Sequence, residues 1–219
     1  MFCKVSLTQN RQIRDSNDKT PVLAHKLFFW YYISASSVFP YKITGVWVSM
    51  DIYTIGHSNH NPEKFVKLIE DNLIDLIVDV RSTPYSQWAA FANRENLEKL
   101  LSSIDIHYLY LGSLLGGRIE DIHSNKKADR VKAYEYIREQ DYFKKGIHIL
   151  IEECDKHRIC ILCSEEDPAS CHRRLLVGAS LIKQGINILH IRGDGRIQLE
   201  EDIWKEEHKI DPHQAVFQI

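Results

Sequence analysis

The sequence has no disulfide framework, no membrane-length apolar run, no internal repeat and no low-complexity tract. Its five cysteines (Cys3, Cys154, Cys160, Cys163, Cys171) follow no even spacing. That excludes the stapled scaffold of small secreted proteins and predicts reduced thiols in a cytoplasmic protein. Cys160 and Cys163 lie in an apolar run with Ile159, Ile161 and Leu162, where alternating side chains face opposite sides of a sheet, so they do not form a paired thiol motif. Methionine is also scarce, with Met1 and Met50 only. What is present is ordinary for a folded domain. There are 219 residues, 44% hydrophobic and 26% charged, which argues against wholesale disorder and against collagen-like or coiled-coil chains.

Charge is divided unevenly. Residues 1–49 carry six Lys and Arg against two Asp, and the remainder carries 22 against 28. The basic leading stretch contains an apolar cluster, Leu27 to Ile33, with neither helical nor alternating period. A membrane span needs about 20 apolar residues, whereas Lys26 and Lys42 bracket a shorter run broken by Pro40. A secretory signal would start nearer the terminus and end at small residues. The expectation is an upstream extension with no evolved fold, with translation starting at Met50, a single α/β domain over 50–205 and a peripheral tail over 206–219. A short membrane or partner anchor is the competing reading of residues 1–49; no membrane contact is expected for residues 50–219.

From Met50 onward strands alternate with helices. Asp51–Ile55 reads as a buried strand ending at Gly56-His57-Ser58. Asn61-Pro62-Glu63 supplies an N-cap, a proline at the first helical position and an acid in the first turn. Leu73–Val80 is a continuous apolar run around Asp75, as a strand buried on both faces should be. His107–Leu111, Arg158–Cys163 and Ile186–Ile191 are the third, fourth and fifth strands, and the charged sequence beyond Gly195 reads as peripheral. This order predicts an α/β fold, a mainly parallel, doubly wound, Rossmann-like sheet of about five strands flanked by helices. In such sheets ligands bind beyond the carboxyl ends of the strands. Those ends carry Gly56-His57-Ser58, Asp79 with Arg81, Gly112 to Arg118, Cys163 to Arg173, and His190 with Arg192.

These residues resemble a known family, the domain-of-unknown-function 488 (DUF488) proteins of bacteria and archaea. The matching pieces are Tyr53-Thr54-Ile55-Gly56-His57-Ser58, Asp79-Val80-Arg81-Ser82 with Pro84 and Ser86, Leu111-Gly112 with Gly116-Gly117, and Leu162-Cys163-Ser164-Glu165 running to Asp167-Pro168 and Cys171-His172-Arg173. They occur in the family's order over about residues 52–192. Where relatives carry a basic residue after the matching serine, this chain has Gln87-Trp88. The resemblance implies a fold and a site. It implies no reaction, because the family has no settled activity.

Several chemistries fit the rim. Cys171 lies where a loop becomes a helix, beside His172, Arg173 and Arg174. Unpaired N–H groups and neighbouring cations at such a position lower a thiol's pKa, which makes Cys171 a candidate nucleophile; buried packing is the alternative. Cys163 is placed like the reactive cysteine of rhodanese-like sulfurtransferases. However, the sixth residue after it is Ala169 where such a loop needs arginine, and Glu165, Glu166 and Asp167 would repel an anion. A metal site built from His57, Cys163, Cys171 and His172 would need tetrahedral geometry, and neighbours on a helix point in different directions, so no metal ligand and no cofactor is assigned.

Asp79 and Glu165 are candidate acids or bases alongside His57, unless Asp79 pairs with Arg81 or Arg173; Asp167 is expected to cap the helix. Arg81, Arg118, Arg173 and Arg192 suit a phosphate, unless they form structural ion pairs. Ser58, Gly116, Gly117 and His172 complete the candidate binding set. The expected partner is a phosphate-bearing small molecule or a nucleic-acid end, handled by an enzyme or, alternatively, by a non-catalytic nucleotide or nucleic-acid binding domain. The acidic balance of residues 50–219 argues against a broad grip on duplex DNA.

Overall fold

A computed structural model describes residues 50–118 and 127–208, together with a two-stranded antiparallel ribbon pairing Lys42–Ile43 with Val46–Trp47. The expectation for residues 1–49 otherwise lies outside the described residues, as does that for 209–219.

Six strands form one sheet: β1 (Asp51–Gly56), β2 (Leu76–Asp79), β3 (His107–Tyr110), β4 (Ile159–Cys163), β5 (Asn187–Ile191) and β6 (Ile197–Leu199). Their spatial order is β3-β2-β4-β1-β5-β6. All pairings are parallel except β5 with β6. The fold is therefore α/β with a mostly parallel, Rossmann-like sheet. The predicted five strands are present, and the antiparallel edge strand β6 adds a sixth. Every residue of β2 and of β4 is buried, as strands covered on both faces require.

Alternation along the strands builds two cores. On one face Tyr53, Ile55, Ile77, Cys160 and Leu162 pack against Phe65, Leu68 and Ile69 of α1 (Pro62–Asp71) and Leu97 and Leu101 of α2 (Arg94–Ser102). α1 begins as its sequence dictates: Asn61 Oδ1 accepts from the Lys64 amide at 2.8 Å, and Pro62 opens the first turn. On the other face Ile52, Val78, Val80, Ile159 and Ile161 meet a second layer of helices. The short α3 (Gly112–Leu115) contributes Leu115, α4 (Lys127–Glu139) contributes Tyr134 and Ile137, and α5 (Asp141–Cys154) contributes Phe143, Ile147 and Leu150. A π-helical turn, Arg173–Gly178, runs into α6 (Ala179–Ile182), and Leu176, Val177 and Leu181 pack here too.

The sequence beyond Gly195 lies at the edge of the sheet and is described through residue 208. It forms β6 and α7 (Glu200–His208). Glu200 bonds Arg174 at 2.7 Å and His190 at 2.9 Å, and Glu207 bonds Arg174 at 2.8 Å. Buried Arg174 leaves the segment little freedom to drift outward: without those carboxylates its charge would be desolvated and unpaired. Among the described residues no helix is long and apolar enough to cross a membrane.

Candidate functional site

The ends of β1, β2 and β4 meet at one rim. The His57 amide donates to Cys163 O at 2.9 Å, Ser58 N to Ser164 O at 2.8 Å, and Val80 N to Leu162 O at 3.2 Å. The chain after β4 crosses so close to β1 that a Cβ on Gly56 would lie 1.8 Å from the Glu165 carbonyl oxygen, so only glycine fits there. Side chains leave this rim in two directions, set by the alternation of the strands, and form two clusters.

The first cluster lies on the α1/α2 face and holds His57, Asp79 and Arg81. Asp79 is fully buried and accepts from Arg81 Nη2 at 2.6 Å, Arg81 Nε at 2.9 Å, the Arg81 amide at 3.0 Å and Tyr108 Oη at 2.8 Å. Burial, and then the charge of Asp79, push the Tyr108 phenol upward, so it remains a donor. Asp79 is thus engaged by its neighbours and is not a free base; the ion-pair alternative is what forms.

Arg81 spends Nη2 also on Ala92 O, but its Nη1 has no hydrogen-bond partner among the described residues. The same is true of His57 Nε2. Ser58 adopts the left-handed region (φ 47°), which turns its carbonyl back so that His57 Nδ1 sits 2.8 Å from it. A carbonyl can only accept, so Nδ1 carries the proton and Nε2 of the neutral ring presents a lone pair. Burial, then the charge of Arg81, lower the His57 pKa to about 4. Phe91 closes edge-on over the imidazole, with ring centroids 6.4 Å apart.

The second cluster lies on the opposite face and holds Cys163, Cys171 and His172. One donor atom from each falls within 4.8 Å of the others. His172 Nδ1 is 3.4 Å from Cys163 Sγ, while its Nε2 is 3.0 Å from Val80 O and must donate there. The hydrogen bond from Cys171, with help from Arg173 and the amides of Glu165 and Ser164, holds Cys163 below the ordinary thiol value despite burial. Cys171 shows the reverse of what its sequence position predicts. It is fully buried, and its bond to Cys163, with burial, pushes its thiol up. Burial opposes the His172 imidazolium, but the bond and charge of Cys171 and the Val80 carbonyl outweigh it and raise its pKa.

The expectation that Cys171 and His172 point apart is corrected, because the two do not share a helix. Cys171 is extended (φ −86°, ψ 143°) after a 3-10 turn, Pro168–Ser170, and His172 is the first residue with helical dihedrals (φ −63°, ψ −26°). Turning the backbone between them brings both side chains to Cys163. His57 belongs to the other cluster and is not part of this group.

The remaining candidates divide by what already holds them. Arg173 is completely buried; Nη1 and Nη2 bond the Glu165 and Glu166 carbonyls and Nε bonds Thr54 Oγ1. It fixes the loop after β4 and does not face a ligand. Arg192 grips Glu166 with two nitrogens, at 3.0 and 2.8 Å, and also meets Asp167 and Gln198. Asp167 caps the 3-10 turn before the helix and not the helix itself, accepting from Ala169 N at 3.1 Å.

Arg118 is exposed, with Nη1 3.2 Å from Thr83 Oγ1 and its amide 3.1 Å from Ser82 Oγ. Gly116 abuts Ser82, and Gly117 lies against the His172 ring, where a Cβ would come within 2.5 Å. The glycine loop therefore spans both clusters. The Glu165 side chain is exposed near His172 and acts on it electrostatically. Sequence reasoning missed Tyr108 and the buried relay Arg173–Thr54–His190–Glu200, in which His190 Nδ1 is 2.7 Å from Thr54 Oγ1. The only available signal was a threonine inside the apolar β1.

The fold and rim define an α/β protein that gathers polar groups at the carboxyl ends of its central parallel strands. A family model, the domain of unknown function DUF488, matches residues 61–180, more than half of the chain, and the protein belongs to that family. No curated protein and no solved structure matches it.

Proposed function

We propose that the protein is an enzyme acting on a phosphate-bearing substrate, a nucleotide or a nucleic-acid end, at this rim. The observation that carries the reading is the pair of buried, unpartnered groups on one cluster: a lone pair at His57 Nε2 and a guanidinium N–H at Arg81 Nη1. A buried polar atom left without a partner costs about 1–3 kcal/mol. A substrate hydroxyl or water donating to His57, beside an oxyanion accepting from Arg81, satisfies both. His57 Nε2 is the group placed to accept the proton of that hydroxyl or water. The Asp79 ion pair holds Arg81 in place and keeps its charge directed at the anion. Arg118 meets the phosphate at the mouth.

The test is a thermal-shift screen of nucleotides and of oligonucleotides bearing 5′ or 3′ phosphates, followed by mass analysis of each stabilising compound after incubation. The expected result is stabilisation by at least one phosphate compound, weakened in Arg118→Ala, and conversion that His57→Gln abolishes while binding persists. No stabilisation by any phosphate compound overturns the reading. Binding without conversion overturns the enzyme half of it and leaves a recognition domain.

A further inference from the structure

The second cluster contributes nothing to the steps assigned to His57 and Arg81, and its geometry has its own meaning. Two sulfurs and an imidazole nitrogen, contributed by the end of β4 and by the loop-to-helix junction nine residues later in the chain, converge to within 4.8 Å. Tetrahedral zinc, with bonds of about 2.3 Å to sulfur and 2.0–2.1 Å to nitrogen, holds neighbouring sulfur and nitrogen ligands about 3.5 Å apart. Cys163 Sγ and His172 Nδ1 are 3.4 Å apart.

The surroundings are those of a metal ligand set as well. His172 donates its other ring nitrogen to the Val80 carbonyl, which fixes the tautomer that leaves Nδ1 free to coordinate. Backbone amides of Ser164 and Glu165 point at the Cys163 sulfur, as amides do toward a coordinated thiolate. Gly117 leaves no room for the ring to swing away. From these features we infer that Cys163, Cys171 and His172 form a binding site for a soft divalent cation of the zinc class, with a fourth position for water or a substrate atom.

Two thiolates neutralise the ion, and binding displaces the protons that the two sulfurs carry. The site stands independently of the phosphate reading, because metal uptake requires no substrate.

The experiment uses the full chain, purified in chelator and then titrated with Co²⁺ and with Zn²⁺. One equivalent of Co²⁺ is expected to give a sulfur-to-cobalt charge-transfer band and the intense visible bands of tetrahedral coordination, both removed by Zn²⁺. Cys163→Ser and Cys171→Ser each weaken the charge-transfer band, the double variant loses it, and Cys160→Ala, altered on the opposite face, keeps it in full. In case those variants fail to fold, alkylation of the wild-type protein with peptide mapping gives a second readout: Zn²⁺ protects Cys163 and Cys171 selectively. Absence of a charge-transfer band in the folded wild-type protein overturns the inference. An undiminished band in both single serine variants, or alkylation unaffected by Zn²⁺, does so too.

Discussion

The two clusters share one rim and differ in how their polar groups are satisfied. On the α1/α2 face Asp79 and Arg81 are locked together, yet His57 Nε2 and Arg81 Nη1 are left over. On the other face Cys163, Cys171 and His172 satisfy one another and the Val80 carbonyl. Leftover hydrogen-bonding capacity points to a ligand that brings its own donors and acceptors, whereas mutual satisfaction among soft donors points to an ion that replaces protons. The β4 end and its outgoing loop hold the two together. The Cys163 carbonyl anchors His57, and Arg173 fixes the Glu166 carbonyl and the Glu165 carbonyl that lies behind Gly56.

This contrast can be broken most forcefully at Asp79. Asp79→Ala strands the Arg81 charge in a buried site, so unfolding in denaturant should show a loss of about 3–5 kcal/mol. A loss below 1 kcal/mol would mean that the pair does not support this face.

An acid titration of stability separates the clusters next. The folded His57 pKa lies near 4, below the ordinary 6.5. The unfolded chain therefore takes up a proton first as pH falls. The contribution of His57 is complete above about pH 6.5 and is lost progressively towards pH 4, on the order of 3 kcal/mol in all. His57→Gln should lose less stability over that window than wild type, and equal losses would place the ring in a wetter setting than the one described here.

The smallest effect is expected at the mouth. Arg118 is exposed, so Arg118→Ala should leave stability within about 0.5 kcal/mol of wild type and act only on phosphate binding. A Tm that falls substantially without ligand would show Arg118 to be part of the scaffold.

Much of the framework was legible in the sequence. The uninterrupted apolar runs of β2 and β4 and the Asn61-Pro62 start of α1 follow from local rules that the packing reinforces. The convergence of strand ends was legible too, since a parallel sheet forces it. Partner choice was not. Whether Asp79 would take Arg81 or Arg173 depends on which face each side chain leaves from, and Arg173 proved to serve backbone carbonyls. The path of the chain through Cys171 and His172 was equally hidden, because a single extended residue before the helix decides whether two adjacent side chains diverge or meet. The capture of Arg174 and His190 by Glu200 needed a contact between β5 and a helix that sequence pattern alone marks as merely charged and exposed.

The proposed function requires that His57 offer a lone pair at Nε2 to a phosphate-bearing ligand. Nitrogen-15 NMR of the histidine-labelled protein at neutral pH reads this directly. The expected result is a neutral ring protonated at Nδ1 in the free protein, and a shift of the Nε2 resonance when a stabilising phosphate compound is added. A His57 ring that is protonated at both nitrogens, or whose Nε2 resonance stays fixed under saturating ligand, would contradict it.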